Sequence, residues 1–590
     1  MSDPIDYGAL DAGRDCNYWT FDPTLAAAAE RAYPPEEFDW AAPRLEAFGE
    51  VVGTRVVENS ERVEANPPTL HTYDRWGEVA NRVEYHPALA DTERITYCDY
   101  GLSHDVFHAP PGREEPMGLT HALTLQAVLS FADPGFVCPA SMTVGAALVL
   151  DRFGDDDRLE EYLERLTTRD PETYIEGAMF LTEKQGGSDV GANETVARET
   201  DEEGVYRLTG EKWFCSNVDA EGTLALARRE GAPEGTAGLS LFLVPHTTAD
   251  GELNDQLYRR LKDKLGTLSV PTGEVEFRGA EGYLVGEPES GFRQMTAMLN
   301  YERLSNAAAS VGVMGRCLLE SKVRAANREA FGKPIDQHPL MRRDLVEMSV
   351  DYEAATAFTF AAASLLDRHH REDDEDAYRL MRLLVPIAKS RTAREAVDTA
   401  SYACEVLGGN GYVSGFATER MLRDAQVLPI WEGTSNVLAL DVLRVLEREA
   451  AHEVFVPAVR ERLDGVDHDS LAAAGDTVAS ELADLQRAMA TLATEDPEYA
   501  QLKAKDLVDY LYDVFAAAEL LAVAQADIEA GDGRAALVAR SFVRSRFGRR
   551  SARGRGIDDG DRLALDAFDA VVGHARVEPA ALADPTPADD

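Results

Sequence analysis

Lysine is almost missing from this chain, with nine in 590 residues, so nearly all of its positive charge is arginine. Aspartate and glutamate number 105 against 59 lysines and arginines, and the net charge is −46. That balance weakens any claim to nucleic-acid affinity for the molecule as a whole. The acid is spread evenly through DAGRDC, GDDDRLEEYLE and REDDEDAY, which argues against one cation-binding face and fits a solvated surface adapted to high salt. Cysteine is sparse too: Cys16, Cys98, Cys138, Cys215, Cys317 and Cys404 lie far apart with no C-x-x-C pair, so neither a zinc site nor a disulfide framework is indicated. No stretch of about 18 apolar residues occurs. The N-terminal MSDPIDYGALDAGRDC has no basic segment followed by an apolar core, so a cytoplasmic protein with reduced thiols and no membrane association is expected. Internal repeats and low-complexity linkers are lacking as well.

What is present is 45% apolar content, ample for buried cores in a multi-domain chain. From about residue 20 to 175 the apolar spacing of TLAAAAERA, PRLEAFGEVVGTRVVEN and MTVGAALVLDRF is helical, punctuated by NPPTL and HAPPGREEPMG. Between about 178 and 290, VYRLTGEKWFCSN, TLALARR, LSLFLVP and GEVEFRG predict a small antiparallel sheet or barrel. Long helices return from about 292. The first is expected to run through AANREAF and stop at Gly332 with Pro334 beyond; a second starts at LMRRDL, a third ends at VLGGNG and a fourth follows Glu432. Four such helices suggest a bundle. Beyond about 447 come further amphipathic helices, an arginine-rich stretch and a polar tail.

Several short stretches could carry chemistry, and each has a plain structural reading beside it. In TEKQGGSDV, Thr182 and Ser188 offer hydroxyls around Gly186 and Gly187, which suits a polar ring or a phosphate but also a tight turn. Trp213 in KWFCSN is either core or a wall for a cofactor ring, with Ser216 bonding its edge. Arg328 in REAFGKP is favoured near a helix C-terminus in any case, and guanidinium also suits pyrophosphate. Glu432, in LPIWEGTSN, can be a carboxylate ahead of a helix capped by Thr434 or Ser435 and beginning at Val437, or a base held in apolar company.

In this order and spacing, TEKQGGSDV, KWF, R-x-x-F-G-K-P, LGGNGY and RDAQVLPIWEGTSN resemble the acyl-CoA dehydrogenase superfamily of FAD enzymes over roughly residues 120 to 445. NPPTLHTYDRWGEVANRVEYHPA, GAMFLTEKQGGSDV, LKDKLG, IWEG and LDVLRVL look like its AidB branch, named for a DNA-alkylation-response flavoprotein. The resemblance implies a mostly α, α+β fold in four parts: an N-terminal helical domain (1–177), a middle β-domain (178–290), an FAD-binding four-helix bundle (291–446) and an additional C-terminal helical domain (447–590). It implies FAD held by Thr182, Gln185, Gly187, Ser188, Trp213, Ser216, Trp431, Thr434 and Asn436, with Arg328, Phe331, Gly408 and Gly409 touching the FAD of a neighbouring subunit in a homotetramer. Glu432 would remove the α-proton of an acyl-CoA thioester while flavin N5 accepts hydride from the β-carbon, and its own amide with a ribityl hydroxyl would hold the enolate oxygen. Electrons would pass on to an electron-transfer flavoprotein.

Two departures stand out. Glu405 occupies a position where the generic pattern has glutamine near a pyrophosphate, and Cys215 stands where a hydroxyl residue is expected, with Ser216 one place later, so that the strand is bulged or the hydrogen bond is made differently. A second class of function also arises from the AidB resemblance: a flavoprotein that binds DNA or counters alkylation, with weak dehydrogenase activity. Residues 534–555 hold eight arginines and no acid. Arg549, Arg550, Arg553 and Arg555 could follow phosphates there, or the stretch could be a basic helix face paired with acids elsewhere.

Overall fold

The computed structural model describes residues 4–548 and 562–582. The chain forms two compact units, Glu36–Ala309, and Met1–Pro35 with Ser310–Asp590. Their boundary at 309/310 falls inside the helix Gly291–Asn327. Among the described residues no disulfide forms, and no helix is long and apolar enough to cross a membrane.

In the unit Glu36–Ala309 the helices Leu119–Ser130 and Val137–Phe153 are buried almost all round, which is why their sequences are apolar on every face. The segment expected to be wholly helical contains a hairpin, β1 (Thr69–Tyr73) and β2 (Val79–Glu84). Its alternating pattern was masked because both strands are mostly exposed. Buried Asn81, at φ +42°, ties it down by donating to Gln256 O and accepting from Tyr258 N, both 2.9 Å.

The sheet comprises β3 (Gly177–Phe180), β4 (Val196–Glu199), β5 (Val205–Ser216), β6 (Gly222–Arg229), β7 (Leu239–Leu243), β8 (Gln256–Leu261) and β9 (Thr272–Val285). Its order β3-β6-β4-β5-β9-β7 is closed by a β6–β7 pairing, with β8 on β9. The expected antiparallel barrel is thus observed with one correction, since β3 and β4 run parallel to β6. Its interior is filled by Phe180, Leu208, Phe242, Tyr258 and Phe277.

Beside it three half-buried carboxyl groups are held by tyrosine hydroxyls. Glu176 accepts from Tyr97 Oη (2.8 Å) and Asn217 Nδ2 (3.1 Å), Glu93 from Tyr174 Oη (3.1 Å), and Asp219 from Tyr85 Oη (2.5 Å). Burial first, then mutual repulsion, pushes Glu93 up to about 8; burial pushes Glu176 up to about 7 and raises Asp219 as well. Because the native state holds these protons to higher pH than the unfolded chain, stability is full below the ordinary glutamate range and declines as pH rises toward 8. Glu93→Gln should match the parent's melting temperature at pH 5 and exceed it at pH 8.5 by a few degrees, on the order of 1–3 kcal/mol. Parallel melting curves for the two proteins across that range would contradict the assignment.

In the other unit the helices Pro339–Glu372 and Glu375–Leu407 pack along each other, and Ser435–Arg448 packs on the second. The 33-residue helix Pro497–Glu529 lies against all three. The expected stop of the first long helix at Gly332 is corrected: it ends at Asn327, and Glu329–Ala330 pairs with Lys333–Pro334 across a two-residue turn in which Phe331 (φ +53°) and Gly332 (φ +83°) are both left-handed. A residue pair with two positive φ values makes a tight hairpin, and the glycine that signals a helix end serves this turn equally well.

The arginine-rich stretch begins as the helix Arg534–Phe547. Arg534 forms a double ion pair with Glu353, and Arg546 donates to Asp351 (2.9 Å), so these two are turned into the unit and paired with acids. Arg549, Arg550, Arg553 and Arg555 lie outside the described residues.

Candidate active site

In the unit Glu36–Ala309, the strand β3 delivers the chain to Thr182 and Glu183. Glu183 is buried, and its carboxylate collects Thr195 N (3.1 Å), Thr195 Oγ1 (2.6 Å), Glu194 N (2.7 Å) and the ammonium of Lys212 (2.9 Å). Burial alone would raise its proton affinity, but these donors together hold the carboxyl below the ordinary range. Lys212, fully buried on β5, also donates to Leu226 O at 2.7 Å. This buried pair clamps the residues next to it. Trp213 donates its backbone N–H to Thr182 O at 2.9 Å, so the hydroxyl and the indole predicted as cofactor contacts stand side by side.

Gly187 completes that corner. A Cβ there would lie 2.5 Å from Thr182 Oγ1, so only glycine leaves the hydroxyl room. Ser188 is exposed, while Gln185 closes the loop by donating to Asn193 Oδ1 (2.9 Å). The bulge offered as one explanation for Cys215 is present: between Lys212 and Cys215 the β5–β9 register slips, three steps on β5 matching two on β9. Lys212 and Cys215, three apart, therefore both face the barrel interior, and Ser216 is only partly buried and meets Thr272 Oγ1 at 3.0 Å. Sequence reading missed the cations on the indole: Lys262 Nζ sits 3.3 Å and Lys184 Nζ 5.3 Å from the Trp213 ring centroid.

The other unit carries the remaining candidates. Arg328 is exposed at the end of its helix and Phe331 is 98% exposed at the hairpin tip. Gly408 (φ +66°) and Gly409 lie in the short 3-10 turn Gly408–Tyr412, with nothing within 4 Å of a Cβ built on either. Glu405 is exposed, and its carbonyl accepts the N–H of Gly408.

At the foot of the helix Ser435–Arg448, Thr434 stands at the expected cap position and the expected helix start is corrected. The helix begins at Ser435, not Val437, and Thr434 is its N-cap by backbone geometry (φ −71°, ψ 163°), yet its side chain makes no capping hydrogen bond. Thr434 and Asn436 are exposed. Glu432 itself is left-handed at φ +53°, followed by Gly433 at φ +108°, and its Oε2 is buried. A non-glycine residue in that region costs roughly 1–2 kcal/mol and persists where its surroundings over-determine it. Here the ammonium of Lys389, fully buried on the helix Glu375–Leu407, donates to Gly433 O at 2.6 Å. Trp431 N–H bonds Val427 O (3.1 Å), while its buried indole Nε1 has no hydrogen-bond partner among the described residues. Neither the sign of φ at Glu432 nor the role of Lys389 was read from the sequence. The only hint was a lysine with Val385, Pro386, Ala393 and Ala396 at helical spacing around it.

Within the unit Glu36–Ala309, an indole beside a threonine hydroxyl that Gly187 leaves room for fits the flat face and polar edge of a cofactor such as a flavin. Comparison with known proteins agrees. The AidB N-terminal domain matches residues 11–172, the acyl-CoA dehydrogenase middle domain 178–280 and the acyl-CoA dehydrogenase C-terminal domain 289–447. Acyl-CoA dehydrogenase family member 11 of Caenorhabditis elegans is 35% identical over 73% of this chain and 70% of its own length. Putative acyl-CoA dehydrogenase AidB of Escherichia coli is 34% identical over 74% and 79%. The crystal structure of Caenorhabditis elegans ACDH-11 in complex with C11-CoA superposes with a TM-score of 0.85 at 29% identity, covering 93% of this chain and 94% of that one. The chain belongs to the acyl-CoA dehydrogenase superfamily of FAD-dependent oxidoreductases, in its AidB-like branch.

Proposed function

We propose that this protein performs the α,β-dehydrogenation of an acyl-CoA thioester with Glu432 as the base. The observation that carries this reading is the held conformation of Glu432: a left-handed residue with a buried carboxylate oxygen, on a turn pinned by a buried ammonium. A capping residue needs neither feature, whereas a base that must meet one C–H bond needs both a fixed direction and exclusion from water. FAD supplies the acceptor for the hydride that leaves the β-carbon with its bonding pair. Glu432 takes the α-proton, and its backbone N–H is the donor proposed for the enolate oxygen.

Thr182, Gln185, Gly187, Ser188, Trp213, Ser216, Trp431, Thr434 and Asn436 are the residues proposed to hold the cofactor. Thr434→Ala tests this cleanly. With no capping bond to lose, stability should change by less than about 0.5 kcal/mol, while loss of one hydrogen bond should weaken FAD binding about tenfold. A drop in melting temperature with unchanged FAD affinity would return the residue to capping.

The four-part division at 177/178, 290/291 and 446/447 is retained as the functional organisation. Exposed Phe331 and Tyr412 (98% and 92%) support a homotetramer in which Arg328, Phe331, Gly408 and Gly409 reach a neighbouring subunit's FAD. Electron-transfer flavoprotein is the proposed acceptor and the cytoplasm the proposed location. Arg534 and Arg546 give the DNA-related alternative no support, since both are paired internally.

The decisive experiment is anaerobic mixing of the yellow protein with thioesters of increasing chain length. Bleaching of the flavin by at least one is expected, and the bound C11-CoA of the nematode relative makes medium-chain thioesters the first to try. A flavin left unreduced by every thioester would overturn the proposal.

A further inference from the structure

Lysine 389 is one of nine lysines in the chain, and it is fully buried in the middle of a helix. Removing an ammonium from water costs several kcal/mol unless hydrogen bonds and charge repay it, and a long apolar side chain of similar volume would fill the same space without that cost. Packing therefore gives no reason for a lysine here. The ammonium donates 2.6 Å to the carbonyl of Gly433, 44 residues away in sequence.

That carbonyl belongs to an unusual piece of backbone. Glu432 (φ +53°) and Gly433 (φ +108°) form two successive left-handed residues, between a turn on one side and a helix on the other. On the N-terminal side the chain is fixed by Ile430 N to Val427 O (2.8 Å) and Trp431 N to Val427 O (3.1 Å). On the C-terminal side Thr434 O accepts from Leu438 N at 3.0 Å as the helix starts. Because the chain is fixed before Glu432 by these bonds and after it by the ammonium on the Gly433 carbonyl, the dihedrals of the two residues are set together, and Glu432 could turn to negative φ only by carrying that carbonyl off the ammonium. A charge-assisted bond is about twice as strong as a neutral one, comparable to the strain it opposes.

We infer that Lys389 is the positioning residue of the reaction: by holding the Gly433 carbonyl it keeps Glu432 left-handed and so aims the carboxylate at the α-carbon. The inference rests on the reading of Glu432 as base. Lys389 touches neither the substrate nor the proton; it acts through the backbone on a group that does. The expected consequence is a loss of proton abstraction with little loss of thioester binding, since a displacement of about 1 Å from a productive geometry costs on the order of 100-fold in rate.

A thioester with α-hydrogens but a quaternary β-carbon isolates that step. With 3,3-dimethylbutyryl-CoA in D2O, the FAD-loaded full-length protein can exchange the α-protons but has no hydride to remove, so exchange followed by NMR reads the base alone. The parent should exchange, Glu432→Gln should not, and Lys389→Met should exchange about 100-fold more slowly while its Kd for the thioester stays within about threefold. Exchange at the parental rate in Lys389→Met, with Glu432→Gln inactive, overturns the role of Lys389 and leaves the base intact. Exchange persisting in Glu432→Gln overturns the base itself and this inference with it. Should Lys389→Met fail to accumulate as a flavoprotein, Lys389→Arg serves, since it keeps the charge but moves the donor. A fall of tenfold or more with melting temperature held within about 2 °C supports positioning, and parental exchange refutes it.

Discussion

Glu432→Gln, loaded with FAD and mixed anaerobically with a thioester that bleaches the parent, should stay yellow. The substitution keeps the size of the side chain and the left-handed backbone, but its amide cannot accept a proton from carbon. General-base catalysis contributes about 10²–10⁴ in rate, or roughly 3–5 kcal/mol of barrier, so flavin reduction should slow by at least two orders of magnitude. Thioester affinity should change by a few-fold only, because Glu432 is assigned to a step and not to ground-state binding. A split of this kind, with rate lost and affinity kept, identifies a chemical role. Equal losses in both would make Glu432 a binding residue, and rapid bleaching would end its candidacy.

The second large effect is expected inside the barrel. Lys212→Met removes the ammonium that meets Glu183 at 2.9 Å, leaving a buried carboxylate with the donors of Thr195 and Glu194 but no counter-charge. Breaking a buried pair in this way costs about 3–5 kcal/mol, so the melting temperature should drop by about 10 °C at pH 7. The sign of the pH dependence is fixed by Glu183, whose carboxyl is held below the ordinary range in the native state. Its stabilisation is present above the unfolded-state value of about 4.3 and is lost as pH falls, so the gap between parent and variant should narrow in acid. Lys212→Met combined with Glu183→Gln should recover part of the loss. Since Lys212 precedes Trp213 and Glu183 follows Thr182, FAD affinity should fall with stability. A variant as stable as the parent at pH 7 would show that the pair contributes nothing.

Much of the site was legible because its residue types and order are properties of the chain itself. TEKQGGSDV, KWFCSN and WEGTSN announced hydroxyls, indoles, paired glycines and an acid, and the misplacement of Cys215 offered as one of two readings the bulge that the β5–β9 register contains. The misreadings have a common cause. The helix end at Gly332 and the hairpin at 69–84 are places where one local pattern serves two structures: a glycine after a helix suits a cap or a tight turn, and an exposed strand pair shows no apolar alternation.

Fold class and the motifs proposed to form the site were thus legible in the sequence, because period, turn residues and motif order act over a few neighbours at a time. Which way Glu432 turns, and what holds it so, was decided only by the tertiary structure. The sign of one φ angle there depends on an ammonium 44 residues away, just as the clamp behind Trp213 depends on a carboxylate 29 residues away. Both are hydrogen bonds in buried surroundings, strong enough to select a backbone conformation that no local preference of the chain would choose.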